Sequence, residues 1–173
     1  MKRFAAVAIA LVAATGCKSS TSPSPTTPTK PTFTADLRPA NEVPPITGTE
    51  ASGSGTATIT FDVTKDAAGN VTAGTATFVV NLSGFPPGTP INAAHIHPGA
   101  AGVAGGVIFS TSLATGEIIL NAAGSGSFTK AGIAPADPAT FNAILANPAG
   151  FYFNVHSTLN PGGVARGQLV KVQ

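Results

Sequence analysis

The chain has 173 residues, enough for one domain with a substantial core and too few for two comfortable ones. It contains 20 Gly, 15 Pro and no Trp, and only 9% of its residues are charged. This composition suits short strands joined by tight turns and excludes coiled coils and long helices. The chain has nine basic and seven acidic residues. Two of the basic residues, Lys2 and Arg3, lie in an N-terminal segment that looks removable, and without them seven residues of each sign remain. Nucleic acid is therefore excluded as a partner, because its recognition needs clustered Lys and Arg.

The N-terminus, MKRFAAVAIALVAATGC, has the form of a bacterial signal peptide. Two cations precede an apolar run over residues 4–14, which is too short to span a bilayer as a mature helix. The small residues before Cys17 resemble a lipobox, although Ala14 stands where Leu is commoner. We predict a lipoprotein signal peptide over residues 1–16 and a lipid on Cys17, the only cysteine. The alternative is an ordinary secreted protein with an unmodified Cys near its cleavage site.

The segment that follows is rich in Ser, Thr and Pro and has no apolar periodicity. Together with Cys17 it predicts an extended tether over residues 17–31, with a reach of roughly 45 Å in polyproline II geometry. Lys18 directly after the Cys resembles the pattern of lipoproteins sent to the outer membrane. We expect an exported protein, lipid-anchored to the cell envelope, whose domain over residues 32–173 faces the periplasm or the exterior.

Strands with Gly, Pro and Asn between them are predicted for the rest of the chain. Residues 55–63 alternate apolar and polar side chains, which is typical of a strand with one buried face. The turn sequence KDAAGN then predicts a hairpin whose second strand covers residues 71–82. Further strands are predicted at residues 93–97, 107–112, 126–129, 151–156 and 164–172. Many short strands at this spacing favour an all-β fold, an antiparallel β-sandwich or barrel.

One segment, ADPATFNAILANPAG, predicts a short helix near residues 138–146 instead. Asp137 is placed to cap it, and Pro138 fits a first helical turn. Phe141, Ile144 and Leu145 are spaced to share one face. We expect this helix to cover an open end or edge of the sandwich as a lid on the hydrophobic core.

The sequence AAHIHPG holds His95 and His97, two of the three histidines. Alternate side chains of a strand share a face, so both would point the same way. In FYFNVH, Tyr152, Asn154 and His156 would share one face in the same manner. If the two strands are neighbours in register, the three imidazoles converge on one patch.

Three neutral imidazoles with an open position suit copper or zinc, with water or Tyr152 completing the coordination. Asn154, Arg166 and Tyr152 are the candidates for groups around such a site, and Arg166 would either attract an anionic ligand or bind backbone carbonyls. The alternative is that the three histidines are hydrogen-bonded structural residues that fix the strand register and hold the NPGG turn. No Walker loop, nucleophile elbow or Cys–His pair occurs, so no catalytic residue is named and an enzyme is not expected.

Three motifs, FTADLRPANEVPP, AAHIHPGAAGVAGGVI and FYFNVHSTLNPGGVARGQL, resemble in order and spacing the chordin (CHRD) domain family. The resemblance covers residues 32–172. It implies an immunoglobulin-like β-sandwich or barrel that occurs in secreted proteins, and it implies no established activity. Val164 and Ala165 stand where the family commonly has Glu-Ile, which argues against an acidic role there.

A weaker similarity links the chain to copper-zinc superoxide dismutases. The corresponding residues are His95 and His97, then His156, then Arg166. The bridging and zinc-binding histidines of those enzymes have no counterpart among three histidines, and neither has the disulfide. The similarity implies at most a reduced, copper-like half of such a site, and we predict no dismutase activity.

Two functions remain as hypotheses. The first is a non-enzymatic binding or structural module at the cell envelope, whose partner is a protein, a glycan or a small ligand. The second is copper or zinc binding by the three histidines, with a redox or metal-storage role.

Overall fold

The computed structural model describes residues 30–173. The predicted signal peptide, Cys17 and nearly all of the predicted tether lie outside these residues. Within them, no helix is long and apolar enough to cross a membrane. The strands are β1 (Thr32–Leu37), β2 (Ser54–Lys65), β3 (Val71–Ser83), β4 (Pro90–Pro98), β5 (Phe109–Ser110), β6 (Ile118–Ile119), β7 (Gly126–Ile133), β8 (Phe151–Ser157), β9 (Ala165–Gln168) and β10 (Val170–Lys171), and the helix is α1 (Ala139–Ala146).

The first sheet has the strand order β10-β1-β2-β3-β7, with every pairing antiparallel. Its centre is the predicted hairpin of β2 and β3, in which Ile59 pairs with Phe78. Ala57, Ile59 and Phe61 are fully buried, whereas the polar residues between them face outward. The alternation read from the sequence is therefore confirmed.

The second sheet has the order β5-β4-β8-β9, and β6 also pairs with β4. Residues Ile96 and Phe153 pair across β4 and β8 and are fully buried against the first sheet. The two sheets thus enclose one core, and the predicted all-β antiparallel sandwich with one short helix is confirmed.

The end of the chain differs from its prediction as one strand over residues 164–172. It forms β9 in the second sheet and β10 in the first. Leu169 lies between them and is buried, and its N–H donates to the carbonyl of Phe151. Val172 then bonds to the carbonyl of Thr32 in β1. Leu169 still follows the alternation of the second sheet, since Ala165 and Leu169 are both buried in the core, and the chain passes to the first sheet directly after it.

Aromatic rings fill the core between the sheets. Phe78 of the first sheet packs against Phe109 and Phe153 of the second, with ring centroids 5.2 and 5.9 Å away. Phe141 of α1 packs edge-on against Phe61 at 4.8 Å. The predicted role of the helix as a lid on the core is confirmed by this contact, and the carboxylate of Asp137 accepts a hydrogen bond from the first-turn N–H of Ala139 (2.8 Å).

Candidate functional site

The three histidines lie on the face of the second sheet that points away from the core. In the antiparallel pairing of β4 and β8, His95 is opposite Asn154 and His97 is opposite Tyr152. His156 is opposite Ala93, the next pair on the same face after His95 and Asn154. Directly paired residues share a face, so the predicted convergence of the histidines on one patch is confirmed.

The ring nitrogens of this histidine cluster (His95, His97 and His156) are close together. One ligand atom from each residue lies within 4.8 Å of the other two. Nδ1 of His95 is 3.1 Å from Nε2 of His156. Two nitrogens bound to one metal at about 2.0–2.1 Å are roughly 3.3–4.1 Å apart, so small side-chain rotations would bring all three to a common ion.

Two of the rings are oriented by backbone carbonyls. Nδ1–H of His97 donates to the carbonyl oxygen of Gly105, and Nδ1–H of His156 donates to that of Pro161, each at 3.0 Å. A proton on Nδ1 leaves the lone pair on Nε2 in both rings. Metal-binding histidines are commonly held in this way, with the non-ligating N–H on a carbonyl.

The Nε2 atom of His97 is the one polar atom of the cluster that is buried without a hydrogen-bond partner among residues 30–173. His97 as a whole is only 6% exposed. A buried lone pair left unsatisfied costs about 1–3 kcal/mol, and a bound cation would remove that cost. This acceptor therefore fits a ligand that takes an electron pair.

Burial also keeps the cluster uncharged. It lowers the pKa of His95 to about 4, and the neighbouring His156 and His97 act in the same direction. Burial lowers the pKa values of His97 and His156 as well, against hydrogen bonds to carbonyls that act in the opposite direction. All three rings are consequently neutral at pH 7, which is the form that binds metals.

Tyr152 covers one side of the cluster. Its ring stacks on that of His97, with centroids 5.0 Å apart and planes 4° from parallel. Its hydroxyl accepts a hydrogen bond from the N–H of Gly105 (3.2 Å), so one side chain contacts both a candidate ligand and the loop that orients it. A Cβ at Gly105 would overlap the carbonyl oxygen of Pro98, and the loop therefore needs glycine there.

Arg166 lies on β9 opposite Asn154 and is 2% exposed. Nε donates to the carbonyl of Asn41 (2.6 Å) and Nη1 to that of Val103 (3.1 Å), and the guanidinium lies 4.4 Å from the centre of the Tyr152 ring. Of the two roles expected from the sequence, the contacts favour carbonyl binding. Arg166 ties two loops to the sheet that carries the histidines.

Sequence reasoning missed two acidic residues beside the site, Glu42 and Glu50, both almost fully buried. The Glu42 carboxylate lies against Gly163, where a Cβ would come within 2.9 Å of either oxygen. Burial raises the pKa of Glu42 to about 7, although Arg166 acts in the opposite direction. The motif NEVPP drew attention to Glu42 without revealing its surroundings, and nothing in the sequence around Glu50 marked it.

The donor set has a limited chemistry. Three imidazole nitrogens in one patch suit copper or zinc better than magnesium or calcium, which prefer oxygen ligands. Asn154 and Tyr152 share the face of the histidines as predicted. Tyr152 contacts the candidate ligand His97, and Arg166 contacts Tyr152. The remaining coordination position would be taken by water or an exogenous ligand.

A family model described as the CHRD domain matches residues 33–169. Comparison with curated proteins gave no match, and comparison with solved structures gave none either.

Proposed function

We propose that this chain, which belongs to the CHRD domain family, is an extracytoplasmic binding module. It is anchored to the cell envelope through Cys17, and its ligand is a copper or zinc ion. The ion is held by His95, His97 and His156. The observation that carries the proposal is the convergence of three neutral imidazoles, two of them already oriented by carbonyls. Metal held at the cell envelope would give the module a redox or storage role.

Tyr152 provides a direct measurement of metal binding. It is the only tyrosine of a chain without tryptophan, and its ring stacks on His97. Cu²⁺ bound to His97 should therefore quench the tyrosine emission of the full-length protein, purified in detergent. We expect quenching to saturate at one Cu²⁺ per chain, and Zn²⁺ to compete for the same site.

The double variant His95→Ala, His97→Ala should weaken Cu²⁺ binding by more than about 100-fold, since removing even an outer partner of a ligand costs 10–100-fold. The control is Lys65→Ala, an exposed residue at the end of β2, which should bind as the wild type does. Equal affinity in the double variant and the wild type would contradict the metal proposal.

Membrane anchoring is supported by the N-terminal sequence alone. We expect radiolabelled fatty acid to be incorporated into the wild-type protein in bacteria, and the protein to sediment with membranes. Cys17→Ser should abolish the label and release the protein from that fraction, because the thiol is the attachment point. Persistence of the label in Cys17→Ser would refute lipidation at this residue.

A second candidate is binding of an envelope protein, glycan or small ligand, with the histidines purely structural. It is favoured by a cleft of about 580 Å³ between the segment at residues 40–45 and the C-terminal strand, of a size typical of ligand sites. Its apolar lining is supplied by Ala40, Val43, Pro45, Ala101 and Val170. Capture of an envelope component that Val43→Asp abolishes and the double histidine variant retains would favour this candidate.

A further inference from the structure

We propose that Glu50 is a positioning residue for the metal ligand His156, acting through the turn at residues 157–163; the inference rests on the proposed metal site. Glu50 lies 106 residues before His156 in the sequence, in the segment that leads into β2. Its carboxylate is hydrogen-bonded to side chains of the turn, so its effect would be exerted through the carbonyl that orients the ring.

The Glu50 carboxylate is bound to the turn at two points. Its Oε2 accepts hydrogen bonds from the hydroxyl of Ser157 (2.8 Å) and from the side-chain amide of Asn160. The Ser157 hydroxyl oxygen in turn accepts from the backbone N–H of Asn160 (2.9 Å). Glu50 is only 3% exposed, so these bonds form away from competing water.

These bonds fix both ends of a short stretch of backbone. Ser157 follows His156 directly, and Asn160 precedes Pro161, whose carbonyl oxygen accepts from Nδ1–H of His156 at 3.0 Å. Backbone bonds to the Asn160 carbonyl, from Ser157 and Gly163, close the turn itself. The carboxylate therefore holds the residues on either side of the His156–Pro161 bond.

Orientation of the Pro161 carbonyl decides which nitrogen of His156 is free. With the bond in place, Nδ1 carries the proton and Nε2 presents its lone pair to His95 and the shared site. If the turn relaxes, the ring loses this constraint and both tautomers become populated. The expected consequences are weaker metal binding and a less uniform coordination geometry.

The test compares Glu50→Ala with Glu50→Gln. The two hydrogen bonds share one oxygen, so the amide oxygen of Gln can accept both, whereas Ala accepts neither. We expect Glu50→Gln to bind Cu²⁺ within about twofold of the wild type and Glu50→Ala to bind it up to about tenfold more weakly, with a changed EPR spectrum of the bound Cu²⁺.

A matched control is Glu117→Ala, in the turn before β6. Glu117 also accepts hydrogen bonds from a backbone N–H, that of Ala114 (3.0 Å), and from a side chain, that of Lys130 (2.7 Å). Its removal should leave Cu²⁺ affinity and the EPR spectrum unchanged. If Glu50→Ala does not fold, Asn160→Ala removes one of the two bonds and should give an intermediate loss.

A second measurement keeps this inference separate from metal binding itself. Long-range ¹H–¹⁵N NMR of the metal-free protein should show a single Nδ1–H tautomer of His156 in the wild type and in Glu50→Gln, and a mixture in Glu50→Ala. If the wild type binds no metal, the proposed function fails. The tautomer measurement would still test whether Glu50 orients the His156 ring. The positioning role would be overturned if Glu50→Ala had the same Cu²⁺ affinity, the same EPR spectrum and the same His156 tautomer as the wild type.

Discussion

At the scale of single residues, the site depends on atoms that side-chain identity alone does not specify. The histidines were identifiable because strand geometry places alternate residues on one face. The tautomers of His97 and His156 depend on the carbonyls of Gly105 and Pro161, which lie in loops. Arg166, expected at the sequence level to attract an anion or bind carbonyls, is buried with two of its donors on carbonyls.

Glu42 gives a pH-dependent prediction at this scale. Its folded-state pKa of about 7 exceeds the ordinary value of 4.5, so the folded protein binds more protons than the unfolded chain between those pH values. Stability contributed by this group is present below about pH 4.5 and is lost as pH rises through 7. Glu42→Gln removes the ionisation and should therefore stabilise the protein at pH 8 relative to the wild type.

We expect that gain to be about 1–2 kcal/mol at pH 8, less than the full shift implies because the carboxyl borders two open clefts. Near pH 4.5 the two proteins should differ little. Urea unfolding at both pH values measures the difference. The same difference at both values would show that ionisation of Glu42 has no part in it.

At the scale of elements, the helix and the central hairpin followed from local pattern. The spacing of Phe141, Ile144 and Leu145 predicted one apolar face. The first two residues are fully buried, and Leu145 is partly buried against the core. The attachment of α1 to β3 was not predictable, because it uses a polar residue. Asn142 donates to the carbonyl of Val71 (3.0 Å) and accepts from its N–H (2.8 Å).

Asn142→Ala should lower the free energy of unfolding by about 1–3 kcal/mol, since both backbone groups of Val71 lose their partner in a partly buried place. Thermal unfolding followed by circular dichroism measures the loss. Ala143→Asn serves as the control on the exposed side of the same helix and should cost no more than about 0.7 kcal/mol. Equal losses in the two variants would argue against the paired hydrogen bonds.

At the scale of the whole molecule, the aromatic contacts between the sheets hold the sandwich together. Phe78 lies on the first sheet and contacts Phe109 and Phe153 of the second. The second sheet carries the histidines on its other face, so its packing also supports the site. Phe109 and Phe153 lie 31 and 75 positions after Phe78 in the chain, so these contacts join distant segments.

Phe78→Ala should cost about 3–5 kcal/mol of stability, because a fully buried ring is replaced by a cavity between the sheets. Val79→Ala, the neighbouring residue on the outer face, is 38% exposed and should cost less than about 1 kcal/mol. Chemical denaturation with urea gives both values. A loss for Phe78→Ala no larger than for Val79→Ala would mean that the sheets are held by other contacts.

By itself, the sequence determined the β-class, the hairpin, the helix, the family and the shared face of the histidines, because each rests on local periodicity or on a contiguous motif. Tertiary structure alone decided that β4 and β8 are neighbours in the required register. It also decided that the last strand divides between two sheets. Other features likewise depend on loops that only folding brings together. These are the hydrogen bonds to the His97 and His156 rings, the burial of Arg166 and the contact of Glu50 with the 157–163 turn. Such contacts leave no periodic trace in the sequence, since one carbonyl or carboxylate at the right place suffices for each.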